Sequence, residues 1–158
     1  MTDIRLIGVE AAKDIAAVRG LFLEYAESLP FDLGYQNFAD EIAEFPGQYA
    51  PPKGGLILAR VDGATAGAVG LRPLDAAVGE IKRLYVRPDY RGLGLGAKLV
   101  DAIVGRGRRT GYAALRLDTI RGLMEGAEIL YRRRGFIEIA AYYENPMADA
   151  VYYELRLN

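Results

Sequence analysis

The chain has 158 residues, with 20 Lys or Arg against 21 Asp or Glu and a net charge of −1. That size fits one domain spanning 1–158, able to bury about two-thirds of its unfolded surface, and the charge balance gives no case for a nucleic-acid partner. Cys and His are both absent, which excludes disulfides, zinc–thiolate sites, thiol nucleophiles and every imidazole role, so no metal is expected and acid–base chemistry falls to Glu, Asp, Tyr, Lys or water.

The elements follow in chain order. Residues 3–9 read as a short strand. From 11 to 28 the apolar positions Ile15, Val18, Phe22, Tyr25 and Leu29 keep helical spacing, and Pro30 stops the run. Tyr35, Phe38, Ile42 and Phe45 predict a second, shorter helix that ends at Pro46-Gly47. Strands are expected at 56–61, 65–71 and 80–86, the first two joined by the hairpin signal Asp62-Gly63 and the third ended by Pro88. A helix over 94–109, a strand over 113–117, a helix over 123–134 and strands over 136–140 and 150–157 complete the chain. This order predicts an α/β or α+β fold, a sheet with helices on its faces. No stretch of about 18 apolar residues reads as a membrane span. Met1-Thr2-Asp3-Ile4-Arg5 lacks the basic-then-apolar profile of a secretion signal, so the expected location is cytoplasmic, with no membrane partner.

Charge is unevenly spread. Residues 82–134 hold 13 basic and 5 acidic side chains, against 7 and 16 elsewhere. An anionic ligand on the basic side explains this, as does a solvated surface rich in Arg.

The most informative segment runs Glu80-Ile-Lys-Arg-Leu-Tyr-Val-Arg-Pro-Asp-Tyr-Arg91-Gly92-Leu93-Gly94-Leu95-Gly96-Ala97-Lys98. A strand passes through a glycine-rich turn into an amphipathic helix. Backbone amides at such a turn, with the helix N-terminus behind them, converge on an anion, and Arg91 adds a positive charge. No Walker loop is present. Gly92, Gly94 and Ala97 satisfy the dinucleotide template, with Asp118 as a nominal ribose ligand. That motif, however, belongs in a tight turn between parallel βαβ units, and here an antiparallel meander precedes the loop.

The same segment resembles the acetyl-CoA loop of the GNAT family of N-acetyltransferases, Arg/Gln-x-x-Gly-x-Gly/Ala, at Arg91-Gly92-Leu93-Gly94-Leu95-Gly96. Leu84-Tyr85-Val86 lies just before it. Leu130-Tyr131 followed by Gly135-Phe136 resembles the family's second signature. The likeness covers nearly the whole chain, and Tyr142-Tyr143-Glu144-Asn145-Pro146 resembles a subgroup of bacterial members.

The resemblance implies the GNAT fold, a mixed, mostly antiparallel seven-stranded sheet with helices on both faces and one splayed parallel strand pair. It implies acetyl-CoA as cosubstrate, its pyrophosphate on the amides of Arg91, Gly92, Leu93, Gly94, Leu95, Gly96 and Ala97. The pantetheine arm would lie along Leu84, Tyr85 and Val86, and the amide near Leu84 would polarise the thioester carbonyl. Tyr131 matches the family tyrosine near the thioester sulfur, which donates a hydrogen bond or proton to the leaving thiolate; a phenol's pKa of about 10 exceeds the roughly 8.5 of a thiol. Packing as a core tyrosine accounts for the same residue. Glu80 matches a glutamate that serves several members as general base, through a relay water or a raised pKa; a structural ion pair is its other reading. Without Cys, attack by the acceptor in a ternary complex replaces any acetyl-cysteine intermediate.

The implied activity is acetyl transfer to a primary amine of a small molecule, amino acid or peptide, and the resemblance leaves room for a homodimer. Phe31, Asp32, Tyr35, Gln36, Tyr142, Tyr143 and Asn145 are the candidate acceptor residues, with Asp32 suited to an ammonium and Arg72 or Arg83 to a carboxylate. A non-catalytic acyl-CoA-binding or sensor module on the same fold is the alternative.

Overall fold

The structure, a computed structural model, describes residues 1–123 and 126–157. Strand alternation and helical periodicity give, in order, β1 (Ile4–Gly8), α1 (Ala12–Ser28), α2 (Phe38–Ala43), β2 (Gly55–Val61), β3 (Ala64–Pro73), β4 (Val78–Val86), α3 (Leu95–Thr110), β5 (Ala114–Ile120), α4 (Ala127–Arg133), β6 (Ile137–Ile139) and β7 (Ala150–Arg156). The chain forms an α/β fold on a seven-stranded mixed sheet of order β1-β2-β3-β4-β5-β7-β6. Neighbours run antiparallel except β4 and β5, which run parallel.

Local signals set most boundaries. α1 stops at Leu29, which turns extended because the following Pro30 disfavours a helical residue before it. Asp62 and Gly63 both take positive φ, at 50° and 84°, as a tight β2–β3 hairpin requires. α3 ends on Gly111 in the left-handed conformation, φ 95°.

Several strand ends shift by one or two residues, and three larger differences stand out. The apolar run over 35–45 divides into a short 3₁₀ turn (Gly34–Gln36) and α2, with Asn37 between them at φ 56°. β5 continues to Ile120, since Asp118, Thr119 and Ile120 pair with Tyr152, Val151 and Ala150 of β7. The helix expected over 123–134 starts at Ala127, after Gly126 at φ 81°. Leu123 instead sits in a turn that donates to the Ile120 carbonyl at 3.1 Å, and residues 124 and 125 of that expectation lie outside the described residues.

The sheet separates two apolar layers. On one face Leu99, Val100 and Ile103 of α3 pack with Ile57, Leu71, Ile81 and Leu115. On the other, Val18, Leu21 and Phe22 of α1 pack with Leu56, Leu58 and Tyr49. β4 carries an irregularity that matters for the site. Ala68 pairs with Tyr85 and Gly70 with Lys82, so Arg83 and Leu84 both stand opposite Val69. Arg83 adopts φ 62° there. This bulge breaks the two-residue alternation.

Leu99 is fully buried beneath the helix that carries the glycine loop. Leu99→Ala is expected to cost about 2–5 kcal/mol, read as a lower urea midpoint at unchanged m-value.

Candidate active site

β4 and β5 pair over only three registers, Val78↔Ala114, Gly79↔Leu115 and Glu80↔Arg116. Beyond Glu80 they part, which leaves β4 backbone groups without a strand partner on that side among the described residues. A groove of about 660 Å³ opens over the separation, a size within the usual range for cofactor clefts. Its walls include Leu84, Tyr85 and Val86 of β4, Tyr25 and Leu29 at the end of α1, the loop residues Tyr90, Arg91, Gly92 and Gly94, Leu95 and Gly96 of α3, and Ala127 and Leu130 of α4.

The floor of that groove is suited to an anion. α3 begins after Gly94, whose side provides no cap, and no acidic residue occupies the first turn. The first intrahelical bond is Lys98 N–H to the Gly94 carbonyl at 3.2 Å. The amides of Leu95, Gly96 and Ala97 therefore point outward with the helix dipole behind them. Gly92 and Gly94 hold φ of 88° and 76°. A Cβ at either would meet nothing within 4 Å, so backbone conformation rather than crowding demands glycine. Arg91 donates Nε–H to the Val86 carbonyl at 3.0 Å, which ties the loop to the end of β4 and leaves its guanidinium at the groove edge. These residues fit a pyrophosphate-bearing cofactor. Several other basic residues of 82–134 are held in ion pairs, among them Arg134 with Asp101 at 2.8 Å and Arg121 with Glu138 at 3.0 Å.

A second, smaller cavity of about 50 Å³ adjoins the groove, and the two share Tyr25, Leu84 and Leu123. Its other walls include Phe31, Leu33, Tyr35, Gln36, Lys82, Arg83, Asp118 and Tyr131. Tyr131 is buried on the first turns of α4, packed against Phe136 and Tyr153. Burial, and then the nearby Tyr25 and Asp118, push its hydroxyl pKa well up, so it keeps its proton at any physiological pH. Among the described residues its hydroxyl takes no hydrogen-bond partner, unlike Tyr142, Tyr143, Tyr152 and Tyr153.

Beside Tyr131 lies a buried network of three cations and three carboxylates. The β4 bulge sends Lys82 and Arg83, though adjacent, to the same side: both donate to Gln36 Oε1. Arg83 grips Glu41 of α2 through Nε and Nη2 at 3.2 and 3.0 Å. Arg72 reaches Glu41 at 3.4 Å and Glu80 at 3.0 Å. Lys82 Nζ lies 3.3 Å from Asp118 Oδ1. Asp118 Oδ2 accepts from the Tyr143 hydroxyl and from Asn145 Nδ2. Burial pulls the Lys82 pKa down, and the Asp118 charge opposes this. Lys82, Arg83, Glu41, Glu80 and Asp118 are each below a tenth exposed, so the charges need one another in place of water.

The sequence candidates fall into three groups. Tyr131, Leu84, Tyr85, Val86, Arg91, Gly92, Gly94, Leu95 and Gly96 line the groove or its inner cavity, while Leu93 and Ala97 do not, Leu93 being exposed. Tyr35 faces the inner cavity. Glu80 stands behind that cavity, its oxygens taken by Arg72 and by the Tyr142 hydroxyl at 2.7 Å, and Tyr143 stands behind Asp118. Asp32 is exposed and caps its own turn through the Gly34 N–H. Lys82 and Glu41 were missed, and Asp118 was read only as a nominal ribose ligand. Their signal is a charged residue inside an otherwise apolar strand or short helix, which strict alternation assigns to solvent.

A splayed parallel pair, a glycine loop opening a helix and a buried tyrosine at their junction define a protein of the acyl-CoA-handling class. The acetyltransferase (GNAT) family model matches residues 16–136. An uncharacterized N-acetyltransferase of Schizosaccharomyces pombe is 36% identical over 159 residues, covering 99% of this chain and 97% of the relative. This chain therefore belongs to the GNAT acetyltransferase family. Its fold also matches an acetyltransferase from Streptococcus agalactiae (TM-score 0.77, 22% identity, 98% of both chains). It matches YncA from Salmonella typhimurium as well, solved with its cofactor acetyl-CoA (TM-score 0.74, 16% identity, 99% of this chain and 95% of that one). Among the described residues no helix is long and apolar enough to cross a membrane, and no group of acidic side chains is arranged to hold a metal ion.

The Lys82–Asp118 pair yields a stability prediction. Lys82→Met, which strands a buried carboxylate, is expected to lose about 3–5 kcal/mol in urea unfolding, and Lys82→Met/Asp118→Leu is expected to recover most of it. A single-variant loss under about 1 kcal/mol would show that the pair does not hold the strands.

Proposed function

We propose that this chain, acting as one domain over 1–158, transfers an acetyl group from acetyl-CoA to a primary amine by direct attack in a ternary complex. The observation that carries this reading is the junction of two cavities. The groove meets, at Tyr25, Leu84 and Leu123, an inner cavity lined by Tyr131, which holds its proton and has no hydrogen-bond partner among the described residues.

Acetyl-CoA supplies an activated acyl carbon: the acceptor nitrogen forms the amide bond and gives up a proton, the C–S bond breaks and the thiolate takes up a proton. The chain's residues have the following roles in that reaction. The amides of Leu95, Gly96 and Ala97, with Arg91, hold the pyrophosphate. β4 beyond Glu80 offers its free edge to the pantetheine arm as a strand would, and the amide near Leu84 polarises the thioester carbonyl. Tyr131 donates a hydrogen bond to the leaving sulfur; its raised pKa means that it keeps its own proton beside a thiol of about 8.5. An acceptor ammonium of pKa about 10 must lose a proton before attack. Asp118 is the carboxylate facing it, and Glu80, engaged by Arg72 and Tyr142, takes part only through a relay.

The engagement of both Glu80 oxygens also suits a non-catalytic acyl-CoA-binding module, and turnover separates the two. Thiol release from acetyl-CoA can be followed colorimetrically over a panel of amines, with no background because the chain has no Cys. Turnover is expected, and Tyr131→Phe is expected to lower kcat by about 10²–10⁴ with acetyl-CoA affinity retained. Acetyl-CoA binding without turnover on any amine would favour the module. Full activity in Tyr131→Phe would remove the tyrosine from the chemistry.

A further inference from the structure

Lys82 and Asp118 occupy equivalent places on the two separating strands, each two residues past the last paired register, Glu80↔Arg116. Their ion pair spans the gap at 3.3 Å and forms part of the wall of the inner cavity. We propose that the acetyl acceptor is a free amino acid, bound as a zwitterion that enters this ion pair: its carboxylate takes the place of Asp118 at Lys82 Nζ, and its ammonium takes the place of Lys82 at Asp118 Oδ1. This rests on the acetyltransferase reading above.

Charge balance is the first argument. Arg72, Lys82 and Arg83 face Glu41, Glu80 and Asp118, so the buried network is neutral as it stands. A lone ammonium or a lone carboxylate entering would leave one buried charge without a counter-ion, whereas a zwitterion preserves neutrality and re-forms both halves of the pair.

The second argument is that each half has its own support. Lys82 Nζ also donates to Gln36 Oε1 at 3.2 Å, and Asp118 Oδ2 accepts from the Tyr143 hydroxyl and from Asn145. The carboxylate therefore stays fixed when the pair opens. The flexible four-carbon stem of lysine supplies the movement.

Size agrees. A cavity of about 50 Å³ has room for about three to five waters, at 10–15 Å³ each. That is close to the five heavy atoms of the α-amino and carboxylate groups with their Cα. The substrate's side chain would run toward Phe31, Leu33 and Tyr35. Position agrees as well. Asp118 and Tyr131 line the same inner cavity. An ammonium held on Asp118 would therefore share that cavity with Tyr131, next to the groove that brings in the thioester.

The test uses the wild-type chain. Calorimetric titration first establishes acetyl-CoA binding. Thiol release is then measured with each standard free amino acid and, for every one accepted, with its carboxamide and its decarboxylated amine. At least one free amino acid is expected to turn over, with kcat/KM falling by about 100-fold or more for the amide and the amine, as when one member of a buried charge pair is removed. Comparable use of the amide or amine, turnover confined to simple amines or peptides, or no turnover with any free amino acid in a preparation that binds acetyl-CoA would overturn the zwitterion assignment while leaving the cofactor reading in place. Absence of acetyl-CoA binding would take down both.

Discussion

The separation of β4 from β5 after Glu80↔Arg116 is the constraint on which the rest of this molecule depends. A parallel pair that stayed zipped would satisfy its own backbone groups and leave no groove. Opening it exposes a strand edge, which calls for a partner. Two features hold it open. The bulge at Arg83 turns β4 out of its alternation, and the Lys82–Asp118 pair fixes the distance across the gap. The unpaired edge and the glycine loop then lie along one continuous cleft, so the same departure from regular pairing makes both the binding surface and its entrance.

The buried charges serve that geometry more than they add stability. A network of this kind is often no more stable than apolar packing of equal volume. Its value here is that α2, β3, β4 and β5 are fixed by directional bonds around a polar cavity. Glu41 links Arg72 of β3 and Arg83 of β4, and Tyr142, Tyr143 and Asn145 close the other side from the β6–β7 loop. Where apolar packing would fill space, this arrangement leaves a small polar volume beside a tyrosine that has kept its proton.

Much of the fold was legible in the sequence because strong local signals mark it. Pro30, Asp62-Gly63 and Gly111 end their elements where the structure ends them, and the order of strands and helices is as read. The GNAT family was legible from Arg91–Gly96 and Leu130–Phe136, where Gly92, Gly94 and Gly135 take positive φ, so that backbone conformation constrains the residue types. The acceptor side was less legible. Lys82 and Asp118 become cavity residues only through a bulge and a strand divergence, both non-local, and alternation alone assigns them to solvent. Glu80 is where the motif implies, yet its hydrogen bonds to Arg72 and Tyr142 come from segments distant in sequence. Asp32 looked like an ammonium ligand by type, and its exposed carboxylate accepts from the Gly34 N–H within its own turn.

The central claim is that an acyl-CoA lies in the opened β4–β5 edge with its phosphates on the first turn of α3. The most direct test is a titration of the ¹⁵N-labelled protein with acetyl-CoA, followed residue by residue through the amide resonances. The largest shifts are predicted at Gly92, Gly94, Leu95, Gly96 and Ala97 and along Leu84–Val86, with β1 and the Asp62-Gly63 turn little changed. Saturable binding whose largest shifts fall away from the α3 N-terminus and from β4 would contradict the account.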